Sequence, residues 1–205
     1  MIQPEPEWNW NERYATGDTP WDSGRASEEL RRILKEGWVR PCRVLELGCG
    51  TGTNAVFLAR QGFEVTAIDT VATAIEQANA KAAETDVDVQ FLQADALELP
   101  DLGQPFPFVF DRGLYHILRN IDLEGFVEAL RRVTEPGSVY LTLTGNANEP
   151  VSEEGGPPLV HAHEICLELS PVFDLVQLRE FRFDGICIDG KEVRPLAWSA
   201  LLRRK

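Results

Sequence analysis

The chain has 205 residues, 43% of them hydrophobic and 26% charged, which suits one globular domain with a sizeable buried core. Its formal net charge of −13 and pI near 4.7 speak against nucleic acid or an anionic membrane as partner, because both recruit Lys and Arg. The four cysteines show no C-x-x-C spacing, so neither a zinc site nor a disulfide framework is expected, and no metal is. The first fourteen residues lack the basic start and apolar run of a secretory signal, and no stretch reaches the ~20 apolar residues of a membrane helix. A soluble, cytoplasmic protein, a monomer or weak homodimer, is the expectation, and the charge itself says little about substrate.

In chain order, residues 1–24 are rich in Pro, Glu and Trp, with turn signals at Gly17-Asp18 and Ser23-Gly24. Trp8, Trp10, Tyr14 and Trp21 give this segment an aromatic surface without strong periodicity, as in a flap docked on the body, residues 25–205. Ala26 to Glu36 reads as a helix with Leu30, Ile33 and Leu34 on one face, Ser27 as N-cap and Gly37 as stop. Strands and helices then alternate. The strands are expected around Val44 to Leu47, Phe63 to Asp69, Val87 to Asp95, Phe108 to Asp111 and Ser138 to Gly145. The helices are expected at 53–62, 71–84 and 123–133. This alternation implies a parallel sheet with right-handed crossovers, covered on both faces. After a Pro-, Gly- and acid-rich loop at 146–158 come a short helix at 163–170 and two apolar stretches, 173–183 and 195–204. A loop, 185–193, joins these last two, so they are expected to pair antiparallel at the sheet edge.

The stretch Val44 to Gly52, VLELGCGTG, organises the rest. An apolar strand runs into glycines at alternate positions, Gly48, Gly50 and Gly52, and a helix follows. Backbone there approaches a nucleotide-like ligand closely. A dinucleotide fingerprint requires G-x-G-x-x-G, whereas Thr53 stands where its last glycine would fall. Asp69 ends the second strand 21 positions after Gly48, where a carboxylate accepts bonds from ribose hydroxyls; the competing reading is that Asp69 or Thr70 caps the next helix.

With Glu46 two residues ahead of Gly48, the pattern E-x-G-x-G-x-G resembles motif I of the class I S-adenosylmethionine-dependent methyltransferases. The antiparallel ending resembles the seventh strand of that fold. D-R-G at Asp111 to Gly113, PWDSGRASEEL at 20–30 and GGPPLVHAHEI at 155–165 are similar to a narrower set, the thiopurine, halide/thiol and tellurite-resistance methyltransferases. Arg25-Ala26 departs from the commoner x-Pro. The resemblance implies a three-layer αβα Rossmann-like fold with a seven-stranded, mostly parallel sheet whose last strand is antiparallel. It implies S-adenosylmethionine as cofactor and S-adenosylhomocysteine as product. By the same resemblance the cofactor site comprises Trp21, Arg25, Glu46, Gly48, Cys49, Gly50, Thr51, Asn54, Asp69, Thr70, Asp95, Ala96, Asp111 and Arg112, with Asp95 at the adenine. Trp21 is the candidate lid residue, offering a π face to the sulfonium or packing only.

Three residues are candidates for chemistry. Arg112 either steers an anionic acceptor or pairs with an acid. His116 is the best general-base candidate beside a structural reading, and Tyr115 flanks it on the acceptor side. Cys49 reads as a small filler, His161 and His163 as surface, and Glu153-Glu154 as a solvated loop. The acceptor is expected to be a thiol, chalcogen or similar soft nucleophile. A phenol- or quinone-like oxygen acceptor, a NAD-type oxidoreductase and a non-catalytic binding module are the alternatives.

Overall fold

The computed structural model describes residues 9–150, 158–184, 186–188 and 191–205. Its elements run α1 (Trp10–Thr16), α2 (Glu28–Lys35), β1 (Arg43–Leu47), α3 (Thr53–Arg60), β2 (Glu64–Asp69), α4 (Ala72–Glu84), β3 (Gln90–Gln93), β4 (Phe108–Arg112) and α5 (Tyr115–Val133). They continue with β5 (Val139–Asn146), β6 (Leu159–Val160), α6 (Ala162–Leu169), β7 (Phe173–Arg182), β8 (Ile186–Ile188), β9 (Lys191–Val193) and β10 (Leu196–Arg204). The sheet order is β3-β2-β1-β4-β5-β10-β7, with β6 added beside β5. β1 to β5 are parallel, and β10 inserts antiparallel between β5 and β7. The antiparallel partner is therefore the last strand, in the interior of the sheet, while β7 forms the edge.

Side-chain alternation along the strands sorts the core into two layers. Leu45, Leu47, Val109 and Tyr140 pack under α5 and α6 with Phe126, Leu130 and Ile165. Val44, Phe108, Phe110 and Leu141 face the other way, against Leu30 and Ile33 of α2 and Leu58 of α3. The same alternation decides where polar residues point. Glu46 shares its parity with Val44, and Arg112 shares its own with Phe110, so both turn toward the α2–α3 layer. Asp111 turns to the opposite one.

Three local features differ from the sequence expectation. α5 begins at Tyr115 and is two helices joined at Asp122 (φ −154°, ψ 84°), whose carboxylate accepts from the Gly125 N–H at 2.9 Å. The expected helix corresponds to the second half. Residues 185–193, expected as a loop, contribute β8 and β9, an antiparallel pair. β6 forms just after the acidic loop and runs parallel to the end of β5. Trp8 and Glu153-Glu154 lie outside the described residues. Among those described, no helix is long and apolar enough to cross a membrane.

Candidate active site

β1 delivers the chain to a loop in which Gly48, Gly50 and Gly52 all take left-handed φ, at +65°, +53° and +74°. Only glycine adopts that region without strain. The loop is pinned to the neighbouring strand: the Cys49 N–H donates to the Ile68 carbonyl at 2.8 Å, and the Gly50 N–H to Asp69 Oδ2 at 2.9 Å. The second oxygen of Asp69 accepts from the Val71 N–H at 3.0 Å, at the start of α4. Burial pushes the Asp69 carboxyl up from its ordinary value, and the two N–H donors oppose that. Asp69 thus braces the glycine loop against the β2–α4 turn.

Beside this loop lies a cavity bordered by Trp21, Asp22, Ser23 and Arg25 from the N-terminal side and by Glu46, Gly48 and Cys49 from β1 and its loop. Thr51, Thr53, Asn54 and Arg112 complete it. Glu46 is 1% exposed. Its side chain bonds with Asn54, and its Oε2 has no partner among the described residues. Burial, reinforced by Asp69 and Asp111, pushes its carboxyl up to about 8. Asn54 also accepts from the Ser27 N–H at 2.9 Å, which ties the α2 start to α3. Burial holds the Cys49 thiol well above its usual range, so it is an uncharged filler and not a nucleophile.

Arg112 donates from Nη1 to the Trp21 carbonyl at 3.0 Å and lies 4.8 Å from the centre of the Phe183 ring. No carboxylate among the described residues comes within ion-pair distance of it. Burial lowers its pKa, while the more distant Asp184, Asp22 and Glu46 raise it. Asp111 is not its partner. The guanidinium of Arg25 likewise has no ion pair among the described residues.

Residues 10–24 lie directly on the glycine loop. Tyr14 is buried, with its hydroxyl 2.8 Å from where a Cβ on Gly50 would stand. Trp21 meets Trp10 and Tyr14 edge-on at 5.3 and 6.0 Å. The Arg13 guanidinium sits 4.5 Å from the centre of the Trp21 ring, so a second cation would have to use the opposite face of the indole. The carboxylate of Asp22 accepts from the hydroxyl of Thr51 and lies 3.4 Å from that of Thr53.

Several candidate residues stand away from the cavity. Asp111 is fully buried; its Oδ1 accepts from the N–H groups of Leu114 and Tyr115, both at 3.0 Å, and its Oδ2 from the Tyr140 hydroxyl at 2.6 Å. It caps the start of α5. The Tyr115 hydroxyl donates to Glu168 at 2.6 Å, inside a network where Arg119 joins Glu168 (2.9 Å) and Glu164 (2.8 Å). Burial and Glu168 keep this phenol protonated, so Tyr115 fastens α5 to α6. His116 accepts at Nδ1 from the Gly145 N–H at 3.0 Å, and burial lowers its pKa to about 3. The proton of this neutral ring is therefore on Nε2, which makes His116 a donor at that nitrogen and not a base. Asp95 is exposed and accepts from the Leu97 N–H at 2.9 Å, with Ala96 buried beside it. Thr70 is exposed, and its carbonyl accepts from Gln93 at 3.1 Å.

Residues not singled out by sequence also shape the site. Asp184, at the end of β7, accepts from the Glu28 N–H at 3.2 Å and so caps α2 from 156 positions away. No local pattern announces such a cap. Asp22 was visible within PWDSG and Thr51 within the glycine loop, but nothing in the sequence pairs Asp22 with Thr51 and Thr53.

A family model described as a methyltransferase domain matches residues 44–137. The 2-heptyl-1-hydroxyquinolin-4(1H)-one methyltransferase of Mycobacteroides abscessus is 30% identical over 125 residues, 60% of this chain and 55% of that protein. The probable thiol methyltransferase 2 of Arabidopsis thaliana is 25% identical over 160 residues, 77% of this chain and 69% of its own. The chain thus spans about half the length of the first of these curated relatives. A solved structure described as "Conversion of a Disulfide Bond into a Thioacetal Group during Echinomycin Biosynthesis" superposes with a TM-score of 0.82 at 26% identity, covering 95% of this chain and 91% of the other. The inserted antiparallel β10, the loop of three left-handed glycines and the family match agree with one another. On these grounds residues 44–137 form a methyltransferase domain.

Proposed function

We propose that the protein transfers a methyl group from S-adenosylmethionine to a small-molecule acceptor, a thiol, chalcogen or similar soft nucleophile. The observation that carries this reading is an oxygen of Glu46 that has no partner among the described residues, buried and bordering a cavity that also presents Gly48 and two guanidinium groups without ion-pair partners among the described residues, Arg25 and Arg112. A zwitterionic amino-acid end finds its complement there: a carboxylate for the ammonium and an Arg for the carboxylate. S-adenosylmethionine, when bound, supplies a sulfonium-activated methyl group and leaves as S-adenosylhomocysteine. Glu46, Asn54 and Gly48 would hold its methionine end, and the described part of the N-terminal segment, residues 9–24, acts as a lid that excludes water.

Arg112 orients an acceptor that carries or develops negative charge, next to the lid carbonyl it already holds. His116, neutral with Nδ1 engaged, takes no proton from the acceptor. A soft nucleophile that ionises near neutral pH needs no such base. The sulfur chemistry named for the thiol methyltransferase and for the echinomycin structure supports this choice. An oxygen acceptor of hydroxyquinolone or phenol type is the second reading, favoured by the identity to the mycobacterial relative. Action in the cytoplasm, as a monomer or weak homodimer without nucleic acid or membrane, completes the proposal.

The test is release of S-adenosylhomocysteine with thiols, bisulfide, tellurite, iodide and phenols offered in turn. Turnover with thiols or chalcogenides above phenols is expected; turnover with phenols alone moves the assignment to oxygen, and none leaves a binding module. Asp69→Ala is expected to lower the melting temperature, because the N–H groups of Gly50 and Val71 lose their acceptor at about 1–3 kcal/mol. It should also weaken S-adenosylhomocysteine binding about tenfold through the loosened loop. A lower melting temperature with wild-type affinity in calorimetry would confine Asp69 to bracing.

A further inference from the structure

Lys81 lies on α4, belongs to none of the motifs the sequence displays, and stands just behind the cavity lining. Its Nζ donates to the hydroxyls of both Thr51 and Thr53, each at 2.6 Å. An ammonium only donates, so each hydroxyl receives Lys81 on a lone pair and has its own proton free for another acceptor. Asp22 of the lid is that acceptor: Thr51 donates to Oδ2, and Thr53 lies 3.4 Å from Oδ1. The Gly24 N–H fixes the same carboxylate from the lid side at 2.9 Å. The rest of this helix face also meets the lid and the loop. Ala74, Gln77, Ala78 and Lys81 fall three and four positions apart, on one side of α4. Ala74 packs with Tyr14, and Gln77 reaches the Tyr14 carbonyl at 3.5 Å. Ala78 lies under Gly52.

We propose that Lys81 is a positioning residue that latches the lid: by occupying the lone pairs of Thr51 and Thr53 it aims both hydroxyl protons at Asp22 and holds residues 18–24 over the cavity. Without it the two hydroxyls rotate freely, and the carboxylate loses both its oriented donors and a nearby positive charge. The inference rests on the methyltransferase reading for its purpose, since a lid that opens and shuts governs cofactor exchange. The latch itself is measurable with no ligand present.

The experiment is amide hydrogen exchange of the peptide spanning residues 18–24 in the ligand-free full chain, for wild type, Lys81→Met, Asp22→Asn and the double variant. A β5 peptide serves as the reference for global loosening. Lys81→Met keeps the aliphatic stem and is expected to melt near wild type. Each single variant is expected to speed exchange of the 18–24 peptide about tenfold while β5 is unchanged, and the double variant to exchange no faster than Asp22→Asn. In calorimetry, Lys81→Met is expected to weaken S-adenosylhomocysteine binding by a similar factor. Wild-type exchange in Lys81→Met, effects of the two substitutions that multiply, equal loosening of β5, or faster exchange with unchanged affinity would each overturn the proposal. Failure of the wild type to bind S-adenosylhomocysteine would instead remove the cofactor reading, and the exchange rates would still decide the latch.

Discussion

Gly52→Ala is expected to destabilise the fold by roughly 2–5 kcal/mol, whereas Gly50→Ala should cost about half as much and chiefly loosen the N-terminal segment. Both positions have left-handed φ, so any side chain carries backbone strain of ~1–2 kcal/mol. The difference lies in what the new methyl meets. At Gly52 it would stand 2.8 Å from Ala78 Cβ and 2.8 Å from Phe91 Cζ. Ala78 has no rotamer with which to retreat, and Phe91 is a partly buried β3 side chain packed against the core, so α4 or β3 must move as a unit. At Gly50 the methyl would meet the hydroxyl end of Tyr14, the far tip of a side chain on α1. That contact gives way by lifting the segment, at little expense to the sheet. Urea unfolding of the two variants separates these outcomes. An unchanged midpoint for Gly52→Ala would mean that Ala78 of α4 and Phe91 of β3 do not pack against this glycine as described.

Glu46→Gln is expected to have effects of opposite sign on stability and on binding. The folded-state pKa of Glu46, about 8, lies above its ordinary value of 4.5 because burial disfavours the charge. A carboxyl with a raised folded pKa binds more protons folded than unfolded. Its contribution is therefore fully present below about pH 4.5 and is lost as pH rises toward 8. Removing the ionisable group should flatten that slope and stabilise the ligand-free protein at pH 8 by roughly 2 kcal/mol. Binding moves the other way. An ammonium-bearing ligand engages the carboxylate, so wild-type affinity should fall as pH drops below about 8, the protonated acid having first to ionise. In Glu46→Gln this dependence should vanish and the dissociation constant rise about 10- to 100-fold, the worth of a charge-assisted hydrogen bond. Melting curves and calorimetry from pH 6 to pH 9 read both. Identical pH slopes in the variant and the wild type would sink the assignment of Glu46.

Much of the architecture was legible because the βα alternation is written in local periodicity. β1, β2, β4 and β5, with α3, α4 and the second half of α5, stand where apolar spacing put them. The antiparallel pairing of β7 with β10 follows from two strands joined without a helix; that β10 inserts beside β5 was implied only by the resemblance. What escaped depends on distant partners. The first half of α5 starts where it does because Asp111 receives its leading N–H groups, and Asp111 is held there by Tyr140 on the next strand. A strand-end carboxylate looks the same in sequence whether it faces a ligand or the backbone. Asp69 and Asp95 accept from N–H groups two residues on, and Asp111 from those three and four on. The site itself was partly readable. Strand parity and register bring Glu46 and Arg112 to one face, but the seating of Tyr14, Asp22 and Trp21 relies on α4 and on Arg112, which no spacing within residues 1–24 reveals.

Which ligand the hollow beside the three glycines takes, adenosyl-methionine or a nicotinamide dinucleotide, decides the proposed function. Calorimetric titration of the full chain with S-adenosylmethionine, S-adenosylhomocysteine and NADH tests it most directly. One-to-one binding of the first two, with no heat from NADH, is the expected result. Heat from NADH alone would contradict the account.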